Sequence, residues 1–349
     1  MTNLTRVAIG ARKGIRYGIF LIIFILVGKV ILDASIAIYL KTFPPAPPPP
    51  TVKFGKLTKI PFPANNITAK LNYTLETPEG GLPTNIPTQA KVFFMPKISA
   101  NLLALDVAKE KAKSLNFTSD AEQVSDIIYK FKNTDFPSTL QMNIITGTFS
   151  ISYDLASDRT PIESRPPVAE VAASEFRSTL SSANVLPEDL SGLTTHNFLK
   201  LSGGNLVTAL SLSESDMVKI NLFRKNYDNL PSVTGNPNEA NVWALIGGSD
   251  NRDQQIIASE YHYHSVDESQ FSTYPIKTPA QAFSELQTQP FIADLGVNKD
   301  GANLKIRRIY LAYFDPEEAS DFYQPVYVFE GDNGFTAYVP AVTGDYYGQ

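Results

Sequence analysis

The chain contains no cysteine. That excludes disulfides, a thiolate nucleophile and any cysteine-ligated metal, so a folded domain here is held by its core alone. Histidine is nearly as scarce, with only His196, His262 and His264. No G-x-S-x-G, H-E-x-x-H, Walker loop or G-x-G-x-x-G is present, so the common signatures of serine hydrolases, zinc proteases and nucleotide-binding enzymes are missing. Basic patches are missing too, beyond the N-terminus. Residues 1–59 hold nine Lys or Arg against one Asp, a balance of +8, which leaves residues 60–349 at −13 within a total of −5. An acidic domain of that kind argues against nucleic acid, whose binding needs clustered Lys and Arg to displace counterions.

The sequence does have one long apolar run. Residues 17–40 form 24 positions that, at about 1.5 Å per residue, make roughly 36 Å of helix, enough to cross a hydrocarbon core of about 30 Å with some tilt. The run exceeds the short apolar core of a signal peptide and lacks an Ala-x-Ala cleavage step, so it reads as an uncleaved transmembrane helix. Arg6, Arg12, Lys13 and Arg16 precede it without an acidic residue. Basic flanks are retained in the cytoplasm, so residues 1–16 are expected as a cytoplasmic tail and the bulk of the chain outside, at the plasma membrane.

Lys29 and Asp33 interrupt the run. Each costs about 2.5 to 3.5 kcal/mol at a helix centre, but a spacing of four lets them share a face and neutralise one another. Ala37 continues that face. On one reading Lys29, Asp33 and Ala37 form a polar, small-residue stripe that docks a partner helix. On the other, the membrane ends near Leu32, with Lys29 snorkelling and Asp33 at the outer interface.

Six prolines and one alanine occupy residues 44–50. They predict a polyproline II rod of about 3.1 Å per residue, a stiff spacer within a linker spanning residues 41–60. Beyond it the pattern predicts an α+β fold of repeated helix-plus-antiparallel-sheet modules over residues 61–160, 161–250 and 251–349. In the first, helical spacing at residues 100–115 places Leu102, Leu105, Ala108, Ala112 and Leu115 on one face. A short helical run is expected at 121–131, then a hairpin of 139–145 and 148–155 around Thr146 and Gly147. In the second, Ala169, Ala172, Ala173, Phe176 and Leu180 make an apolar stripe ending before Pro187. Strands are expected at 198–201, 207–212, 217–224 and 242–246. In the third, strand 255–263 leads to a helix capped by Thr278 with Pro279 at its first position. Strands 305–314, 324–331 and 335–342 follow, the last two joined through Asp332, Asn333 and Gly334.

Three constellations resemble chemistry. Glu260, His262 and His264 alternate on an expected strand and so share one face, which is metal-ligand spacing but also the pattern of a solvated face opposite inward Tyr261 and Tyr263. Asp315, Glu317 and Glu318 supply paired carboxylates of the kind glycoside hydrolysis needs, on what reads as a solvated turn. Residues 250–253 and 298–301 lack the terminal Glu of a calcium loop and read as turns. No catalytic residue, metal ligand or cofactor is assigned.

Residues 274–286 (YPIKTPAQAFSEL), with IRRIYLAYFDP and QPVYVFEGDNGFTAYVPAV after them, resemble the helix-and-sheet modules of the PepSY and YycH/YycI-type families. That resemblance implies a membrane-anchored outer protein that restrains a membrane partner, and it passes on no catalytic residue. The expectation is therefore a single-pass extracytoplasmic binding, sensing or scaffold protein of the bacterial envelope, with a membrane or envelope protein as partner. The alternative is an envelope hydrolase acting on peptide or glycan.

Overall fold

The computed structural model describes residues 3–42, 48–64, 71–99, 102–288, 290–298, 301 and 303–348. It divides into two compact units, residues 1–49 and 50–349. The first is a single helix, α1 (Asn3–Thr42), in which every residue from 9 to 39 except Gly18 is exposed. Residues 9–39 are long and apolar enough to cross a membrane.

The second unit is the expected α+β fold. It begins with β1 (Asn72–Leu75) and β2 (Gln89–Phe94), then α2 (Ala104–Ser114). Next come β3 (Glu122–Gln123), β4 (Ile128–Lys132), β5 (Ser138–Asn143) and β6 (Phe149–Tyr153). Helix α3 (Ala169–Ser182) precedes β7 (Thr194–Ser202), β8 (Asn205–Thr208), β9 (Met217–Leu222), β10 (Ser232–Val233) and β11 (Val242–Ile246). Then come β12 (Ile256–Tyr261), β13 (Asp267–Pro275), α4 (Pro279–Leu286) and β14 (Phe291–Asp294). The chain closes with β15 (Asn303–Phe314), β16 (Phe322–Tyr323), β17 (Pro325–Gly331) and β18 (Thr336–Pro340).

Three sheets result. One runs β3-β4-β5-β6-β12-β11-β9-β7-β8, a second β1-β15-β17-β18-β14 with β10 also on β15, and a third β13-β2-β16. All pairs are antiparallel except β1 and β10 against β15. The nine-stranded sheet corrects the expected module boundaries at 160 and 250, because it takes strands from all three segments. A hairpin sheet on its own leaves edges of unpaired backbone groups, and antiparallel pairing of β12 with β6 removes two such edges at once.

Helices α2 and α3 share the core on that sheet. Ala108 and Ala112 of α2 and Ala172, Phe176 and Leu180 of α3 meet Phe131, Leu140, Ile220 and Ala244. The stripe expected in α3 is buried at Ala169, Ala172, Phe176 and Leu180. Helix α2 starts later than its spacing implied, with Leu103 at its N-cap, so Leu102 lies outside the helix and is fully exposed. The helix expected at 121–131 is instead the β3-β4 hairpin. Ile128, Tyr129 and Phe131 favour the pleated surface, and the Val124 amide donates to the Ile128 carbonyl at 2.9 Å to close the turn.

Helix α4 covers one face of the second sheet through Ala282 and Leu286. Its start is fixed by a capping box, in which Thr278 accepts from the Gln281 amide and the Gln281 side chain accepts from the Thr278 amide. The final hairpin turns through Asn333 and Gly334 at φ 61° and 84°, the left-handed region those residue types tolerate. The opposite face of the second sheet is covered by the segment after α1. Phe62 stacks on Phe291 at 4.6 Å and meets Phe314 edge-on at 4.7 Å.

That segment corrects the expected linker of residues 41–60. Helix α1 continues through Thr42, and from Thr51 the chain is bonded into the fold. The Leu57 amide donates to the Tyr346 carbonyl at 2.8 Å, Gln324 donates to the Thr58 carbonyl at 2.9 Å, and Leu57 is completely buried. Residues 44–47 of the proline rod lie outside the described residues.

Candidate functional site

Lys29, Asp33 and Ala37 are all exposed and follow at intervals of four along α1, so they share one stripe of the helix. The other charged residues of 9–39 are Arg12, Lys13 and Arg16, near its N-terminal end.

In the second unit the polar centre lies where the nine-stranded and six-stranded sheets meet. Arg224, two residues beyond β9, is buried and divides its guanidinium among three partners. Its Nε donates to Asp315 Oδ1 at 2.8 Å, Nη1 to Asp189 Oδ2 at 2.6 Å, and Nη2 to the His264 carbonyl at 2.5 Å. Tyr227 donates to Asp189 Oδ2 at 2.7 Å, and the guanidinium lies over the Tyr263 ring at 4.3 Å. Asp315 is thus no solvated turn. Residue 315 follows β15 directly and faces inward, while Glu317 and Glu318 stay exposed.

Two buried carboxylates around one guanidinium leave an excess negative charge out of water. Burial accordingly pushes the Asp315 carboxyl up to about 6, with the Arg224 charge pulling the other way. Burial also opposes the charge on Arg224, but Asp315, Tyr323 and Asp189 together hold it well above its usual value. The cluster ties the α3-β7 connection, the end of β9, the end of β15 and the segment after β12 to a single side chain.

Beside it opens a groove of about 630 Å³ whose lining includes Asn236, Glu239, Trp243, Glu260, His262 and Glu317. Trp243 carries Lys219 over its ring at 3.9 Å, and Lys219 is in turn paired with Glu239. The His262 Nε2 lies 3.0 Å from Glu260 Oε2 and 3.8 Å from Glu317 Oε1. The hydrogen bond to Glu260 raises the His262 pKa, with burial opposing and both carboxylate charges assisting. Of the three alternating residues, Glu260 and His262 come together and His264 does not. The strand ends at Tyr261, and the His264 ring turns to the Glu317 carbonyl at 3.0 Å. Burial lowers the His264 pKa. Among the described residues no group of three His, Asp or Glu side chains is arranged to hold a metal ion.

Spacing gave no sign of the Arg224 cluster, whose partners lie 35 and 91 residues away. The one available signal was the sequence of β15, where Asp315 directly follows an inward run of apolar residues.

No family model and no curated protein matches the chain. Among solved structures, an uncharacterized protein from Eubacterium rectale ATCC 33656 is similar over 80% of this chain and 90% of its own, at 14% identity and a TM-score of 0.40. The C-terminal domain of YpeB from Bacillus megaterium is similar over 71% of this chain and 96% of its own, at 11% identity and a TM-score of 0.31. Both are loose likenesses of fold.

Proposed function

We propose that the chain is a single-pass membrane protein of the cell envelope, with its N-terminus in the cytoplasm and residues 50–349 outside, where the α+β domain binds a partner and regulates it. The observation that carries this reading is α1 itself. Its residues 9–39 form an apolar helix that is exposed along its length and belongs to a separate compact unit from the domain. In water that surface would be a large uncompensated apolar patch, and a bilayer removes the cost. The basic flank at Arg12, Lys13 and Arg16 and the acidic balance beyond residue 60 support the orientation.

A binding role is favoured over a catalytic one because the two buried carboxylates, Asp189 and Asp315, are both engaged by Arg224 and present no free pair to a substrate. Protease added to intact cells should digest the domain and leave a membrane-protected N-terminal fragment. Full protection of the domain would overturn the orientation.

A further inference from the structure

Lys111 lies on α2 and is half-buried, yet among the described residues its ammonium has neither a hydrogen bond nor an ion pair. Several other lysines and arginines withdrawn from solvent have partners. Lys219 is held by Glu239, Lys277 by Glu285, and Arg224 by its two aspartates. Arg177 donates to the Leu190 carbonyl at 2.6 Å. Burial without a counter-charge lowers the Lys111 pKa, as expected of an ammonium stripped of water.

The ammonium faces a cavity of about 240 Å³ bounded by α2, the β5-β6 turn, the segment after β2 and the segment after β12. At the turn, Gly147 leaves room for it, since a Cβ there would sit 3.2 Å from Lys111 Nζ. Tyr263, His264 and Ser320 bring polar groups to the lining, while Met95, Pro96 and Ala319 supply an apolar wall. No carboxylate lines the cavity, although residues 60–349 carry a net −13. Lys97 also borders it, but is neutralised by Asp321 at 2.6 Å. One uncommitted cation is therefore enclosed beside apolar surface.

We infer that this cavity binds a small organic carboxylate, such as the free C-terminus of a short peptide, with Lys111 as its counter-charge and Met95, Pro96 and Ala319 against its apolar part. A single ammonium matches one carboxylate, whereas phosphate recognition draws on several convergent donors. The apolar wall selects for a carbon substituent next to the charge. This site gives the binding role proposed above a ligand class and rests on it to that extent, but does not depend on the membrane orientation.

The test is calorimetry at pH 7 and low salt on the full chain in detergent, using N-acetyl-alanyl-alanine, its C-terminal amide, and propionate. The acid should bind at least about tenfold more tightly than the amide, the difference expected for one charge-assisted hydrogen bond. Lys111→Met should lower affinity for the acid by a similar factor. Propionate binding as tightly as the peptide acid assigns the site to a free short-chain acid, and weaker binding assigns it to a peptide terminus. Equal affinity for acid and amide, absence of heat from all three probes, or unchanged binding in a folded Lys111→Met variant would each overturn the inference. The acid-to-amide comparison uses the unmodified chain, so it holds even if the variant misfolds. Failure here leaves the protease test of orientation untouched.

Discussion

Replacing Arg224 by Met removes the one positive charge from a buried cluster that already carries two carboxylates. The side chain is of similar length and apolar, so little volume is lost and the effect is electrostatic. Asp189 and Asp315 are then left without their counter-charge at 8% and 5% exposure. Breaking a buried pair in this way costs about 3 to 5 kcal/mol. At about 2 to 4 °C per kcal/mol for a domain of this class, melting should fall by roughly 6 to 20 °C at pH 7.

The pH dependence identifies the cause. Asp315 is held above its unfolded value, at about 6, so the folded chain takes up a proton that the unfolded chain releases. Stability from such a group is fully present below its unfolded pKa and is lost as pH rises through the folded pKa. Without Arg224 the only strong downward influence on Asp315 is gone and its pKa rises further. The variant's deficit should therefore be smaller at pH 5, where the carboxyl is protonated and neutral, than at pH 7. Thermal melts followed by circular dichroism at both values measure this. A variant melting within about 2 °C of the parent at pH 7, or one whose deficit grows on acidification, would refute the assignment of Arg224 as the electrostatic tie between the sheets.

Glu260→Gln should lower the His262 pKa, because the hydrogen bond that the imidazole donates to that carboxylate is the largest influence raising it. A raised histidine contributes stability that is full below its unfolded pKa and lost as pH rises through the folded one, so parent and variant should differ most in acid and converge above neutrality. Proton NMR titration of the imidazole reads the shift directly, and superimposable titration curves would contradict the pairing. On α1, replacing Lys29 and Asp33 together with Leu should abolish copurification of a membrane partner while leaving the protein in the membrane. Unchanged copurification would place that charge pair at the bilayer edge rather than at a helix interface.

The elements legible in the sequence are those with short-range signals. The apolar stripe of α3, the Thr278 and Pro279 start of α4, and the Asp332-Asn333-Gly334 turn each depend on residues within a few positions of one another, and each is found. The β3-β4 hairpin is not legible in the sequence because a short run of mixed residues fits helix and strand periods equally, and the partner strand decides between them. Strands β2 and β13 carried no clear pattern, since residues 267–271 of β13 are mostly exposed and only its later part is paired closely with β2.

The site followed the same division. Glu260 and His262 are two residues apart, and their contact was legible from alternation, whereas His264 left the shared face because the strand stops at Tyr261. In sequence Lys111 is one of three lysines of α2, with Lys109 and Lys113. Its isolation depends on Gly147 and Tyr263, which come from other elements.

The sequence by itself determined that a long apolar helix precedes an acidic α+β domain, because length, hydropathy and charge are additive along a chain and need no partner. Only the tertiary structure decided that three expected modules share one nine-stranded sheet, that the segment from Thr51 is part of the fold, and that Arg224 joins Asp189 and Asp315. Those outcomes depend on which strand edges pair and which charges are withdrawn from water together, and both are settled by contacts between residues far apart in the chain.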